Sequence, residues 1–190
     1  MLTDNLRKLT LAAMFAAMAC ICFAYLRIEI PMGGGMTGKI YIGHSFIILS
    51  ALLLGTKYGA LTGAIGLTIA DILAGYVTSA PPTFVSKFIL GWSVALVAHT
   101  IFKITTLTEE KQIIKLTMLA AITGTLVCLI TEPLIRYSFK VYILGYHPQV
   151  AYLSALNCAL AAALSAIPDI IISTLLYKTA RLNIRDYRHL

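Results

Sequence analysis

Apolar runs long enough to cross a hydrocarbon core recur along the whole length of this chain. A core of about 30 Å needs roughly 20 such residues per crossing. Backbone groups in lipid find no water, so each crossing segment must satisfy its own N–H and C=O groups. The runs lack strand alternation and are therefore helices. Six are expected, at about 7–26, 41–54, 59–76, 83–103, 113–137 and 150–178. The second is short for a span, and the stretch from Ile40 to Leu54 has room to extend or tilt. With 59% hydrophobic residues, 12% charged and a mean hydropathy of +0.86, no soluble domain is left over. The fold class is an all-α integral membrane protein, residues 1–190 forming one compact bundle of six transmembrane helices.

The net charge of +7 sits at segment ends, where it sets topology rather than binding nucleic acid. One side holds Arg7, Lys8, Lys57, Lys103, Lys111, Lys115, Lys178, Arg181, Arg185 and Arg188. The other holds Arg27, Lys39, Arg136 and Lys140, with Lys87 just inside a helix. The positive-inside rule then puts both termini in the cytoplasm. Arg7, Lys8 and the motif Ala17-Met-Ala19 imitate a secretory signal, but the apolar run continues to Leu26, longer than a signal's core, so an uncleaved first helix is expected. Cys20, Cys22, Cys128 and Cys158 lie in apolar segments with neither disulfide nor metal spacing, and read as small buried hydrophobes. No metal site or cofactor is expected.

Three richer connections fall on the outer side: Arg27 to Lys39, Val77 to Pro82, and Ser138 to Gln149. Gly33, Gly34 and Gly35 in the first suit either a mobile lid or a plain flexible connector. Inside, Gly55 to Tyr58 is a minimal turn and Ile104 to Gln112 a polar loop. No internal repeat is evident, which argues against an inverted-repeat transporter built from one chain.

Ionisable residues within the apolar segments need a partner or a function. Asp71, Lys87, Glu132 and Arg136 all fall near the outer ends of their helices. Glu132 and Arg136, four apart, can pair on one face, and Asp71 can meet Lys87 if the 77–82 connection is tight. Two internal ion pairs, or a polar pocket that orients a small ligand, both fit this pattern. Asn157 adds a donor and acceptor near the outer start of the last helix, and Asp169, beside Pro168, lies deeper. His44, His99, His147 and His189 are scattered, as satisfied histidines would be. Tyr41, Tyr76, Phe84, Trp92, Tyr137, Tyr142, Tyr146 and Tyr152 gather at the outer end, partly as an interfacial belt and partly, as for Tyr41 and Trp92, able to stack on an aromatic ligand. Ala12, Ala13, Ala16 and Ala17 form two overlapping small-xxx-small pairs on the first helix, and Gly59, Gly63 and Gly66 a similar stripe on the third. Either stripe suits the close approach of another helix backbone, and packing within this bundle is the plain reading of both.

The run His44…Leu-Leu-Leu-Gly55-Thr-Lys-Tyr-Gly59-Ala…Ala70-Asp71-Ile-Leu-Ala-Gly75-Tyr76…Ala80-Pro-Pro-Thr-Phe…Lys87, with the Ala-rich first helix and Gly-rich first loop, resembles the S components of energy-coupling factor (ECF) vitamin transporters, in the riboflavin, hydroxymethylpyrimidine and pyridoxine group. The similarity is densest over residues 1–92. The resemblance implies a subunit of the bacterial plasma membrane that binds one micronutrient near the outer face, under the first loop. It implies no ATPase of its own, and a transmembrane coupling subunit with two cytosolic ATPases as partner. It also turns the first-helix alanines into a docking face, either Ala12/Ala16 or Ala13/Ala17. The pocket residues expected from the positions above are Lys87, Glu132, Arg136, Asn157 and Asp71, with Trp92 and Tyr41. A ligand of pyridoxine or hydroxymethylpyrimidine type stands first and riboflavin second. A small intramembrane hydrolase using Asp71, Glu132 and a histidine is the alternative class, and a stand-alone facilitator a weaker one. The enzyme would need a nucleophile beside a base, and none is apparent.

Overall fold

The computed structural model of the chain describes residues 2–32, 36–107 and 109–186. Among these, six α-helices and one hairpin follow one another as α1 (Leu2–Tyr25), β1 (Ile28–Met32), β2 (Met36–Ile40), α2 (Gly43–Leu54), α3 (Thr56–Leu73), α4 (Ala80–Leu96), α5 (Glu110–Ser138) and α6 (Pro148–Asp186). Single π-helical turns, Val97–Ile101 and Phe139–Ile143, extend α4 and α5. Four helical stretches are long and apolar enough to cross a membrane: Asp4–Tyr25, Val77–Ile101, Glu110–Ile143 and Pro148–Arg181. Leu6, Ile65, Ile130 and Leu164 are among the many large apolar side chains left exposed on the bundle, as lipid contact requires.

The short second helix organises the rest. With 12 residues, α2 is about 18 Å long and does not extend into the preceding residues. It packs against α1, α3, α4 and α6, and nine of its residues are buried. A helix apolar all round belongs in the centre. Because α2 stops short of the membrane thickness, a void remains above its first turn, and the hairpin closes that end with β2 lying against α6.

That hairpin differs from the irregular loop expected between the first two helices. Ile28 pairs with Ile40, Glu29 with Lys39 and Ile30 with Gly38 in an antiparallel ladder. Ile28-Glu29-Ile30 carries the period-two alternation that the long apolar runs lack, and the ladder satisfies backbone groups beyond the end of α1. Gly33, Gly34 and Gly35, the expected lid glycines, lie outside the described residues.

Glycines set the helix spacing on the other side of α2. Gly55 alone links α2 to α3, with φ of +86°. A Cβ on Gly66 would sit 2.7 Å from the Ala16 carbonyl oxygen, and one on Gly63 2.7 Å from that of Lys87. Close approach of α1 and α4 to α3 therefore depends on these two residues. The same contact separates the two alanine pairs of α1. Ala12 is buried and Ala16 packs on Gly66, so this pair is engaged inside the bundle and does not form an outward face, whereas Ala13 and Ala17 are exposed.

Candidate functional site

A cavity of about 380 Å³ lies between the hairpin and the first turn of α2, walled by α3, α4, α5 and α6. Its lining brings together Tyr41, Asp71, Lys87, Glu132, Arg136 and Asn157, six of the seven residues expected to bind substrate. Trp92, the seventh, does not line it and is 45% exposed on the outer surface. Five residues after Lys87 amounts to about 140° around a helix, so the two side chains leave α4 in different directions.

Of the two ion pairs drawn from spacing, Glu132 with Arg136 forms and Asp71 with Lys87 does not. Lys87 Nζ donates to Glu132 Oε2 at 2.6 Å, and both side chains are almost wholly buried. Arg136 Nε and Nη2 donate to Glu132 Oε1 at 3.1 and 3.0 Å, along the expected four-residue spacing on α5. Arg136 Nη2 also donates to Thr83 Oγ1 at 3.0 Å, and Thr83 Oγ1 donates to Asp71 Oδ2 at 2.6 Å. Asp71 thus meets a threonine, not Lys87, and one continuous chain of bonds runs Asp71–Thr83–Arg136–Glu132–Lys87. Glu132 further accepts from the thiols of Cys128, at 3.7 Å, and Cys158, at 3.4 Å. A carboxylate with two cations and two thiols around it is satisfied in a way a bare pair is not.

A second buried network forms the floor. His44 Nδ1 lies 3.1 Å from Asp169 Oδ2, and Tyr41 Oη 3.1 Å from His44 Nε2. The Ser45 backbone N–H and hydroxyl donate to Asp169 Oδ1 at 3.0 and 2.7 Å. Asp169, from α6, therefore caps the N-terminus of α2, satisfying an orphan donor and meeting the positive end of the helix dipole. This explains a carboxylate deep in an apolar helix. It also separates the two polar positions of α6: Asn157 lines the cavity near the hairpin end, while Asp169 stays below, outside its lining.

The roof is built from residues that spacing did not single out. Lys39 Nζ sits 2.8 Å from the centroid of the Tyr76 ring and 5.4 Å from that of Phe23, and Arg27 lies over the same two rings. These contacts fasten the hairpin to α1 and to the turn after α3. Burial pushes Lys39 down to about 8, with Arg27 adding to the shift and Asp71 opposing it. Lys140, in the π-helical turn after α5, donates to the Ser154 hydroxyl of α6 and completes the wall. Counting Lys39 and Lys140 only as topology charges hid them. Their position in connections next to the ionisable cluster was the available signal.

Residues 3–182 match the family model described as "ECF-type riboflavin transporter, S component". The chain belongs to this family. It is a family of multi-pass, vitamin-binding transporter subunits and not of enzymes, which removes the hydrolase alternative at the family level. No curated protein matches the chain. Against this background the S component shows a ligand-sized cavity within its bundle, bordered by β2 of the hairpin and floored by a satisfied polar network.

Proposed function

We propose that this S component captures a water-soluble heteroaromatic vitamin or vitamin precursor in the cavity beneath the hairpin. The observation that carries the proposal is the convergence of Asp71, Thr83, Arg136, Glu132 and Lys87, from α3, α4 and α5, on one void rimmed by the rings of Phe23, Tyr41 and Tyr76. Apolar rings with a few placed polar groups suit a flat, heteroatom-rich ligand. The family description brings riboflavin beside the pyridoxine and hydroxymethylpyrimidine types favoured by the resemblance. Native mass spectrometry of the detergent-purified protein tests the reading. A co-purifying stoichiometric heteroaromatic mass would name the ligand; a protein that is empty and binds no member of a vitamin panel would refute it.

Delivery, in this proposal, occurs in a bacterial plasma membrane with the hairpin outward and both termini cytoplasmic. The S component docks on a transmembrane coupling subunit with two cytosolic ATPases. The docking surface is the exposed Ala13/Ala17 stripe of α1, since Ala12 and Ala16 are already spent on α3. Ala13→Leu with Ala17→Leu should spare ligand binding and abolish uptake by cells carrying the coupling module. Normal uptake by that double variant would remove the docking surface.

A further inference from the structure

The cavity carries more cation than its carboxylates neutralise. Lys39, Lys87, Arg136 and Lys140 line it, against Asp71 and Glu132. His44 is taken up by Asp169 below. Glu132 is saturated by Lys87, Arg136 and two thiols, so it has nothing left for the other cations. Arg136 commits Nε and Nη2, and among the described residues its Nη1 donates to nothing. Among the described residues, Lys140 donates one hydrogen bond, to a neutral hydroxyl, and Lys39 makes ring contacts and no hydrogen bond from its ammonium, with Asp71 and its cross-strand partner Glu29 as the carboxylates that act on it. Arg136 lies close enough to Lys39 and to Lys140 to repel both. Asp71 is the remaining anion, and it attracts Lys39, Lys87 and Arg136 at once.

Two positive charges are therefore left over around a void with low-dielectric walls, where uncompensated charge is expensive. A neutral ring would leave them in that state. An oxyanion would relieve it, and the free edge of a guanidinium suits a carboxylate or phosphate geometrically.

We propose that the ligand of this cavity is a heteroaromatic compound bearing one anionic group, a carboxylate or a phosphate monoester, held by the Nη1 edge of Arg136 with Lys140 and Lys39 beside it. The proposal rests on the reading of the cavity as the vitamin site. Titration calorimetry on the detergent-purified chain tests it with matched neutral and anionic probes: riboflavin and its monophosphate, pyridoxine and its monophosphate, nicotinamide and nicotinate. In at least one pair the anionic member should bind tenfold tighter or more, about 1.4 kcal/mol. Its advantage should shrink as salt is raised and the cations are screened. Arg136→Gln should erase the preference, and Lys140→Gln, at a half-exposed position that does not threaten folding, should reduce it several-fold. Neutral members binding as tightly as their anionic counterparts would overturn the anion while leaving the vitamin site standing. Binding by none of the probes would overturn both. A preference undiminished in Lys140→Gln and Arg136→Gln would overturn the assignment to these residues.

Discussion

Glu132 offers the sharpest test of the electrostatic reasoning, because two cations depend on it and it depends on neither alone. Glu132→Gln keeps an acceptor oxygen but removes the charge that Lys87 Nζ meets at 2.6 Å and Arg136 at 3.0 Å. Removing one partner of a buried pair costs about 3–5 kcal/mol, and with Lys87 only 2% exposed the upper half of that range applies. Lys87→Met is milder, since Glu132 keeps both Arg136 bonds and loses one acceptance; about 2–3 kcal/mol is expected. In the double variant Lys87→Met/Glu132→Gln the fully buried cation is gone and Arg136, partly open to the cavity, keeps Thr83. The double variant should therefore be more stable than Glu132→Gln alone, with a coupling of about 3 kcal/mol between the sites, enough to outweigh the cost of Lys87→Met itself. Loss of helical circular dichroism on titrating mixed micelles with SDS gives the four stabilities. The reasoning fails if Glu132→Gln is no worse than Lys87→Met, or if the two effects simply add.

Three further expectations concern the roof, the helix spacing and the floor. Lys39 is held near 8 in the docked hairpin against about 10.4 in water, so docking favours the neutral amine. Hairpin closure should strengthen as pH rises from about 8 to about 10.4, and that gain should be lost as pH falls through 8. In the ligand-free protein, opening of the hairpin, read by amide hydrogen exchange corrected for its intrinsic pH dependence, should accordingly fall over this window in the wild type and stay flat in Lys39→Met; a wild type without this dependence refutes the assignment. Gly66→Leu should separate α1 from α3 and destabilise the bundle by about 1–3 kcal/mol or more, measured by thermal melting, since its Cβ would meet Ala16 backbone at 2.7 Å. Asp169→Leu should strip Ser45 and His44 of their partner at about 1–3 kcal/mol per orphaned group, while Asp169→Asn, which keeps an acceptor for Ser45, should melt measurably higher than Asp169→Leu.

Much of the candidate site was legible because charge in an apolar segment is rare enough to stand out. Asp71, Lys87, Glu132 and Arg136 announced themselves that way, and Asn157 by its place near the end of α6. Trp92 was misplaced because aromatic composition at a helix end carries no azimuth. Lys39 and Lys140 were overlooked for the opposite reason: a lysine at a membrane boundary has an ordinary explanation. Thr83 gave no signal at all, since a hydroxyl on a helix is neutral in propensity and charge, yet it joins Asp71 to Arg136.

Composition and the length of the apolar runs were sufficient to dictate a helical membrane protein, because lipid leaves the backbone no other way to bond. Which cation meets which anion was beyond them. Spacing along one helix fixes a pair such as Glu132 and Arg136, but Lys87 and Glu132 are 45 positions apart and meet only through the crossing of α4 and α5. The same holds for Asp169 at the start of α2, and for Ala12 and Ala16 turned onto α3. Each depends on how helices are rotated and stacked, a property of their packing together that no single apolar run contains.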